Sequence, residues 1–288
     1  MIRPDPQKVA AFAIPEETRS YAASDALLYA LGLGLGADPM DRDELPFVYE
    51  EWGPKVLPTF ATVLGSDMHW LTDPAFGLGD APNVHGDETL TLHAELGASG
   101  TLLSRSRIAG LYDRGEGSHG VMIVEEDLHD AATGALVATR RQTDVLIGAG
   151  GFGGEPPPRA ERPVPPDRAP DHVVTRRVLP QAALLYRLSG DHYKLHVEPD
   201  YARSAGFDGP ILHGLATYGM ACHAVVAACC DHEPAAIARF YGRFTAPVYP
   251  GETLVSELWR DGDAVYFRVR VPERDAVVID NGRADLRG

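Results

Sequence analysis

The stretch GLATYGMACHAVVAACC, Gly214 to Cys230, is apolar around nearly its whole helical circumference. A helix of that kind cannot lie on a surface, so it predicts a segment enclosed by protein on every side. The period then changes. RFYGRFTAPVY, ETLVSELWR, AVYFRVRV and AVVIDNG read as strands, separated by Pro-Gly, Asp-Gly and charged turns. One helix followed by a run of antiparallel strands excludes a doubly wound parallel fold. The simplest way to bury an all-apolar helix against a single sheet is to curl the sheet around it.

Upstream, the chain repeats this plan. ALLYALGLG from Ala26 matches ALLYRLSGD from Ala183, VLPTFATV from Val56 matches ILHGLATY from Ile211, and LHAELGASGTL from Leu92 matches FTAPVYPGETL from Phe244. The three blocks keep their order at nearly constant offset, which marks a duplicated domain. Each half predicts a short amphipathic helix (25–33 and 180–188), a longer apolar helix, and then strands. In the first half the strands are TLLSRSRIAGLY, HGVMIVEEDLHD and LVATRRQTDVLIG. Between the halves, Gly148 to Pro170 is glycine-rich and then proline-rich, and reads as a linker. The expected organisation is one unit over 1–147, a linker over 148–170 and a second unit over 171–288.

The 288 residues carry a formal net charge of -15, which argues against a nucleic-acid or anionic-membrane surface. No run approaches a membrane span, and MIRPDPQKVAAFAIPEETRS has no long apolar core, so no signal peptide is expected. Cys222, Cys229 and Cys230 lack zinc spacing and read as small buried residues of a reducing compartment. A cytoplasmic protein is expected.

The chemistry is concentrated in LYRLSGDHYKLH, Leu185 to His196. A helical run ends at Gly190, and Asp191 and His196 follow, five positions apart. Read alone, the pair is either reactive or simply two solvated residues beyond a helix end.

YRLSGDHYKLH, GFDGPILHGLATYG and RFTAPVYPGETL together resemble the MaoC-like, R-specific enoyl-CoA hydratases (hydratase 2). The resemblance implies an α+β double hot-dog fold, two fused units each with an antiparallel sheet wrapped around a central apolar helix. It implies that Asp191 and His196 hold and activate a water, and that the Gly214 N–H meets the thioester oxygen. The implied activity is reversible hydration of trans-2-enoyl-CoA to (3R)-3-hydroxyacyl-CoA, with no metal or redox cofactor. The substrate is an acyl-CoA or acyl-carrier-protein thioester. The duplication allows either a monomer or a homodimer.

The chemistry is coherent without the family name. A carboxylate beside apolar walls is raised toward neutrality, and an imidazole titrates nearby, so the pair can exchange protons at pH 7. A helix start favours the negative oxygen that develops on the thioester. The first half has GLGADP and Pro58-Thr59 at the corresponding places, so it lacks the motif. It either lines a tunnel for the acyl chain or only completes the sheet.

The match departs from the family at Tyr193-Lys194, where the family has Asn-Pro. Tyr193, Lys194 and His213 are candidate substrate-binding residues. The departure leaves three outcomes: a hydratase with an altered pocket, a hydratase with a different substrate, or a non-catalytic or complex-dependent thioester-binding protein; a hot-dog thioesterase is a separate alternative. His223 reads as a core histidine and His192 as exposed. Arg239 and Arg243 are weaker candidates for coenzyme A phosphates, and the acidic loop at Asp38 to Glu44 reads as a solvated face.

Overall fold

The computed structural model describes residues 3–79, 82–159 and 161–288. Residues 1, 2, 80 and 81 of the expected first unit, and residue 160 of the expected linker, lie outside the described residues. Ten strands form one antiparallel sheet. They are β1 (Glu17–Tyr21), β2 (Asn83–Leu92), β3 (Gly100–Asp113), β4 (Gly120–Asp130), β5 (Leu136–Leu146), β6 (His172–Arg177), β7 (Ile237–Phe244), β8 (Thr253–Asp261), β9 (Ala264–Val271) and β10 (Ala276–Leu286). The α-helices are α1 (Pro6–Ala11), α2 (Ala23–Gly32), α3 (Leu45–Val48), α4 (Ala182–Tyr186), α5 (Pro199–Ser204) and α6 (Gly214–Cys229).

The strand order β1-β3-β4-β5-β2-β7-β10-β9-β8-β6 is a duplication seen in space. Each half uses the same internal order, one reversed against the other. The seam is β2 against β7, with Leu90 opposite Phe240 and Glu88 opposite Gly242.

Helix α6 is the enclosed helix expected from its composition. Ala216 to Val226 are buried without interruption, and strands β6 to β10 and the helix share one core. Each large apolar side chain buried there is worth about 1.5–3 kcal/mol. The helix stops where Asp231 and His232 take left-handed backbone angles, φ 49° and 59°. Gly219 is where α6 touches the first half. A Cβ there would lie 2.7 Å from the Tyr29 hydroxyl and 2.8 Å from a Leu33 methyl. Gly219→Ala is therefore expected to lower stability by about 1–3 kcal/mol, read from the urea midpoint. An unchanged midpoint would show that Tyr29 and Leu33 give way freely.

The first half differs from expectation at its central segment. This is not a long helix but a six-residue 3-10 helix, Pro58–Val63. Pro58 starts it, and Gly65 ends the run against the Glu126 carboxyl, where any Cβ would collide at 2.2 Å. The chain must pass that carboxyl as extended loop, so the helix cannot continue.

The segment after β5 is anchored by chemistry. The Asp113 carboxylate accepts backbone N–H bonds from Gly115, Gly151 and Gly153, each at 2.7 Å. Those bonds, led by Gly151, hold its pKa at about 2. Gly151 and Gly153 have φ of 87° and 89°, which glycine adopts without strain. Among the described residues, 148–170 contain no helix or strand.

Candidate active site

The site is built at the start of α6. The turn Ser189-Gly190 brings the chain out of the α4 region, and Gly190 takes φ 131°. Arg19 of β1 holds this turn, donating to the Ser189 carbonyl at 2.9 Å and to the Val63 carbonyl at 2.7 Å. A Cβ at Gly190 would meet the Arg19 guanidinium at 3.0 Å. Arg19 is thus a site-shaping residue from the other half. Its separation of 170 positions from Ser189 left no local signal to find it.

Beyond the turn, Asp191, His196 and His213 come together. One ligand-type atom of each lies within 4.8 Å of the other two. His196 and His213 stack, with ring centroids 3.7 Å apart and planes at 25°. His196 Nδ1 lies 2.9 Å from the Ile211 carbonyl oxygen, so Nδ1 carries the proton and Nε2 keeps its lone pair. His213 Nε2 lies 3.2 Å from the Asp191 main-chain oxygen and by the same logic donates to it. The geometry suits water activation, and the same three groups are of the type that could hold a metal ion.

Burial holds both imidazoles neutral. It pushes His196 below its ordinary value, against the opposing pull of Asp191. It pushes His213 down to about 3, with His196 adding to the effect. Asp191 differs from expectation: it is exposed rather than walled by apolar groups. The reason is that the turn at Gly190 projects the loop away from the core that buries Tyr186 and Ser189.

His213 is buried at 1% exposure, beneath His196 rather than at the surface. Gly214 opens α6, where the first N–H groups lack carbonyl partners within the helix. A Cβ on it would touch the Phe244 ring at 3.4 Å, so the glycine keeps a shallow space open beside its N–H. Tyr193 stands edge-on to His196, centroids 6.1 Å apart. Its hydroxyl is 3.0 Å from that of Tyr201. Burial and the Tyr201 hydroxyl raise Tyr193 to about 12, so it remains a neutral phenol. Lys194 is exposed and faces Glu198 at 3.8 Å. His223 is a core residue, bonded by Arg176. Glu44, expected on a solvated face, is buried because Arg176 reaches across from β6 to pair with it.

Comparison with known proteins gives the family and the fold. Residues 161–281 match the MaoC like domain, and residues 20–148 match the MFE-2 hydratase 2 N-terminal domain. The chain is 38% identical over 290 residues to a peroxisomal enoyl-CoA hydratase 2 of Arabidopsis thaliana, covering 96% of this chain and 93% of that one. It is 39% identical over 278 residues to 3-hydroxyacyl-thioester dehydratase Y of Mycobacterium tuberculosis, covering 91% of each. The solved MaoC-like dehydratase from Phytophthora capsici superposes with TM-score 0.85 at 27% identity, covering 98% of each chain. Two half-chain matches in order, a shared ten-strand architecture and a full-length relative at this identity leave one assignment: the chain belongs to the MaoC-like, hydratase 2 family of double hot-dog proteins.

Proposed function

We propose that this protein reversibly adds water across trans-2-enoyl-CoA to give (3R)-3-hydroxyacyl-CoA, using Asp191 and His196. The observation that carries the residue assignment is the convergence of Asp191, His196 and His213 within 4.8 Å at the start of α6. A water held between the Asp191 carboxylate and His196 Nε2 adds its oxygen to the β-carbon. The pair takes up the water's proton and returns one to the α-carbon. The thioester oxygen gathers negative charge on the way, and the Gly214 N–H at the helix start stabilises it. The atoms of one water are thereby added, and no redox cofactor or metal is required. Tyr193 and Lys194 form the rim that meets the thioester, and His213 lies beneath the reacting pair. A cytoplasmic location belongs to the same reading, supported by three buried, unbridged cysteines.

The test is to incubate the purified protein with trans-2-enoyl-CoAs of several chain lengths. Hydration bleaches the ultraviolet absorbance of the conjugated thioester without releasing thiol. Thiol release would indicate a thioesterase, and neither signal would indicate a binding protein. Because His196 is held below its ordinary value of 6.5, it is neutral and basic at pH 7. The acid limb of kcat/KM is therefore expected below about 6.5. An acid limb above that value would remove neutral His196 from the role of base.

A further inference from the structure

The inward face of the first half is divided by a polar layer. Along β5 it runs from Ala138 in the main core through Arg140, Gln142 and Asp144 to Leu146 in a second apolar cluster. Glu88 of β2 and Glu126 of β4 complete the layer, both bound to Arg140 at 3.0 and 2.9 Å. All three carboxyl residues are buried, at 0% for Glu88, 4% for Glu126 and 1% for Asp144. A cavity of about 10 Å³, room for one water, lies against Arg140 and Gln142.

The hydrogen bonding of this layer is incomplete. Asp144 Oδ1 accepts from Gln142 Nε2 at 2.9 Å, while Asp144 Oδ2 is buried with no partner among the described residues. Leaving a buried carboxyl oxygen unpaired is costly, so such atoms call for an explanation. Burial raises the Asp144 carboxyl above its ordinary value.

The layer is partly exposed at one position. His85 stands directly opposite Asp144 in the β2–β5 register, with Nε2 3.1 Å from Glu88 Oε2 and 19% of its side chain exposed. Its ring packs on Phe244, centroids 4.8 Å apart. The same Phe244 ring bounds the space beside Gly214. Phe244 therefore borders both the Gly214 end of the site and His85, the cross-strand neighbour of Asp144.

Resting on the hydratase reading above, we propose that His85 and Asp144 form a subsite for a hydroxyl group carried on the acyl chain, several bonds beyond the β-carbon. A hydroxyl can donate to Asp144 Oδ2 and still accept a bond. An aliphatic tail leaves that oxygen unpaired. A tail carboxylate would lose its hydration there with Arg140 already shared by Glu88 and Glu126, and is disfavoured. The preferred substrate class is thus the neutral, hydroxylated enoyl thioester.

The experiment compares kcat/KM across a series of unbranched trans-2-enoyl-CoAs, each made with a terminal methyl, hydroxyl or carboxylate. At the length that reaches His85, the hydroxyl form is expected to be favoured over the methyl form by about tenfold to a hundredfold, with the carboxylate poorest. Asp144→Leu is expected to bring the hydroxyl-to-methyl ratio to unity or below, and Gln142→Leu, which removes the donor that orients Asp144, serves if the first variant does not fold. Equal rates for hydroxyl and methyl forms at every length overturn the subsite, as does a hydroxyl preference that persists in the folded variant. Crotonyl-CoA is too short to reach His85, so wild-type failure to hydrate it overturns the hydratase reading itself and is told apart from failure of the subsite.

Discussion

Asp191→Asn and His196→Ala are each expected to lower kcat and kcat/KM for enoyl-CoA hydration by about 10²–10⁴-fold while leaving the fold intact. The asparagine keeps the geometry. Asp191 is exposed, and its Oδ1 accepts the Tyr193 N–H at 3.1 Å, which an amide oxygen can also do. What the variant loses is the charge that orients the water and takes its proton. His196→Ala removes the imidazole whose Nε2 lone pair is left free, since Nδ1 is committed to the Ile211 carbonyl. Because the two groups act on one water, the double variant should be scarcely worse than either single one. Steady-state kinetics with circular dichroism provides the check. Wild-type-like turnover in either folded variant would exclude that residue from the mechanism.

The second large effect concerns stability. Arg140→Met is expected to cost about 3–5 kcal/mol, the usual penalty for breaking a buried ion pair by removing one partner. The Arg140 side chain is 6% exposed and holds Glu88 and Glu126, which are 0% and 5% exposed. The loss should depend on pH. In the wild type, burial pushes the Glu88 carboxyl up, but Arg140 and His85 outweigh it and hold the group below its ordinary value. A carboxyl depressed in this way stabilises the fold above its unfolded pKa of about 4.3. That contribution disappears as pH falls through the lower native value. Without the cation, only His85 is left to oppose burial, and Glu88 rises. The deficit of the variant is therefore greatest at neutral pH and shrinks as acid protonates the carboxyl. Urea unfolding at pH 7 and near pH 5 measures both. An equal deficit at the two values would mean that Arg140 contributes packing rather than charge.

The second half was more legible than the first, and the reason is physical. Helix α6 advertises itself because every face is buried, so every face must be apolar. Strands β8 and β9 alternate because one side meets that helix and the other does not. In the first half, β2 escaped reading as a strand. Its inward positions His85 and Glu88 are polar, and a register shift at Gly86 breaks the alternation. Nothing local could reveal that these residues are balanced by Arg140, which lies 52 positions from Glu88. Strands β1 and β6 are short, charged edges of the sheet with little pattern to display.

The candidate site divides along the same line. Asp191, His196 and Gly214 stand out because they fall in two sequence blocks that resemble the family, carried by a tight turn, a short 3-10 helix and a helix start. By itself the sequence determined the duplicated α+β plan and the enclosed helix, since both depend on local period and spacing, and its family resemblance implied which residues to propose for hydration. Only the tertiary structure decided that His213 lies stacked beneath His196 and that Arg19 braces the reactive turn. It alone decided that a charged layer crosses the first half where a second long helix was expected. Those arrangements join residues far apart in the chain, and partners brought together by folding leave no periodic trace in the segments that supply them.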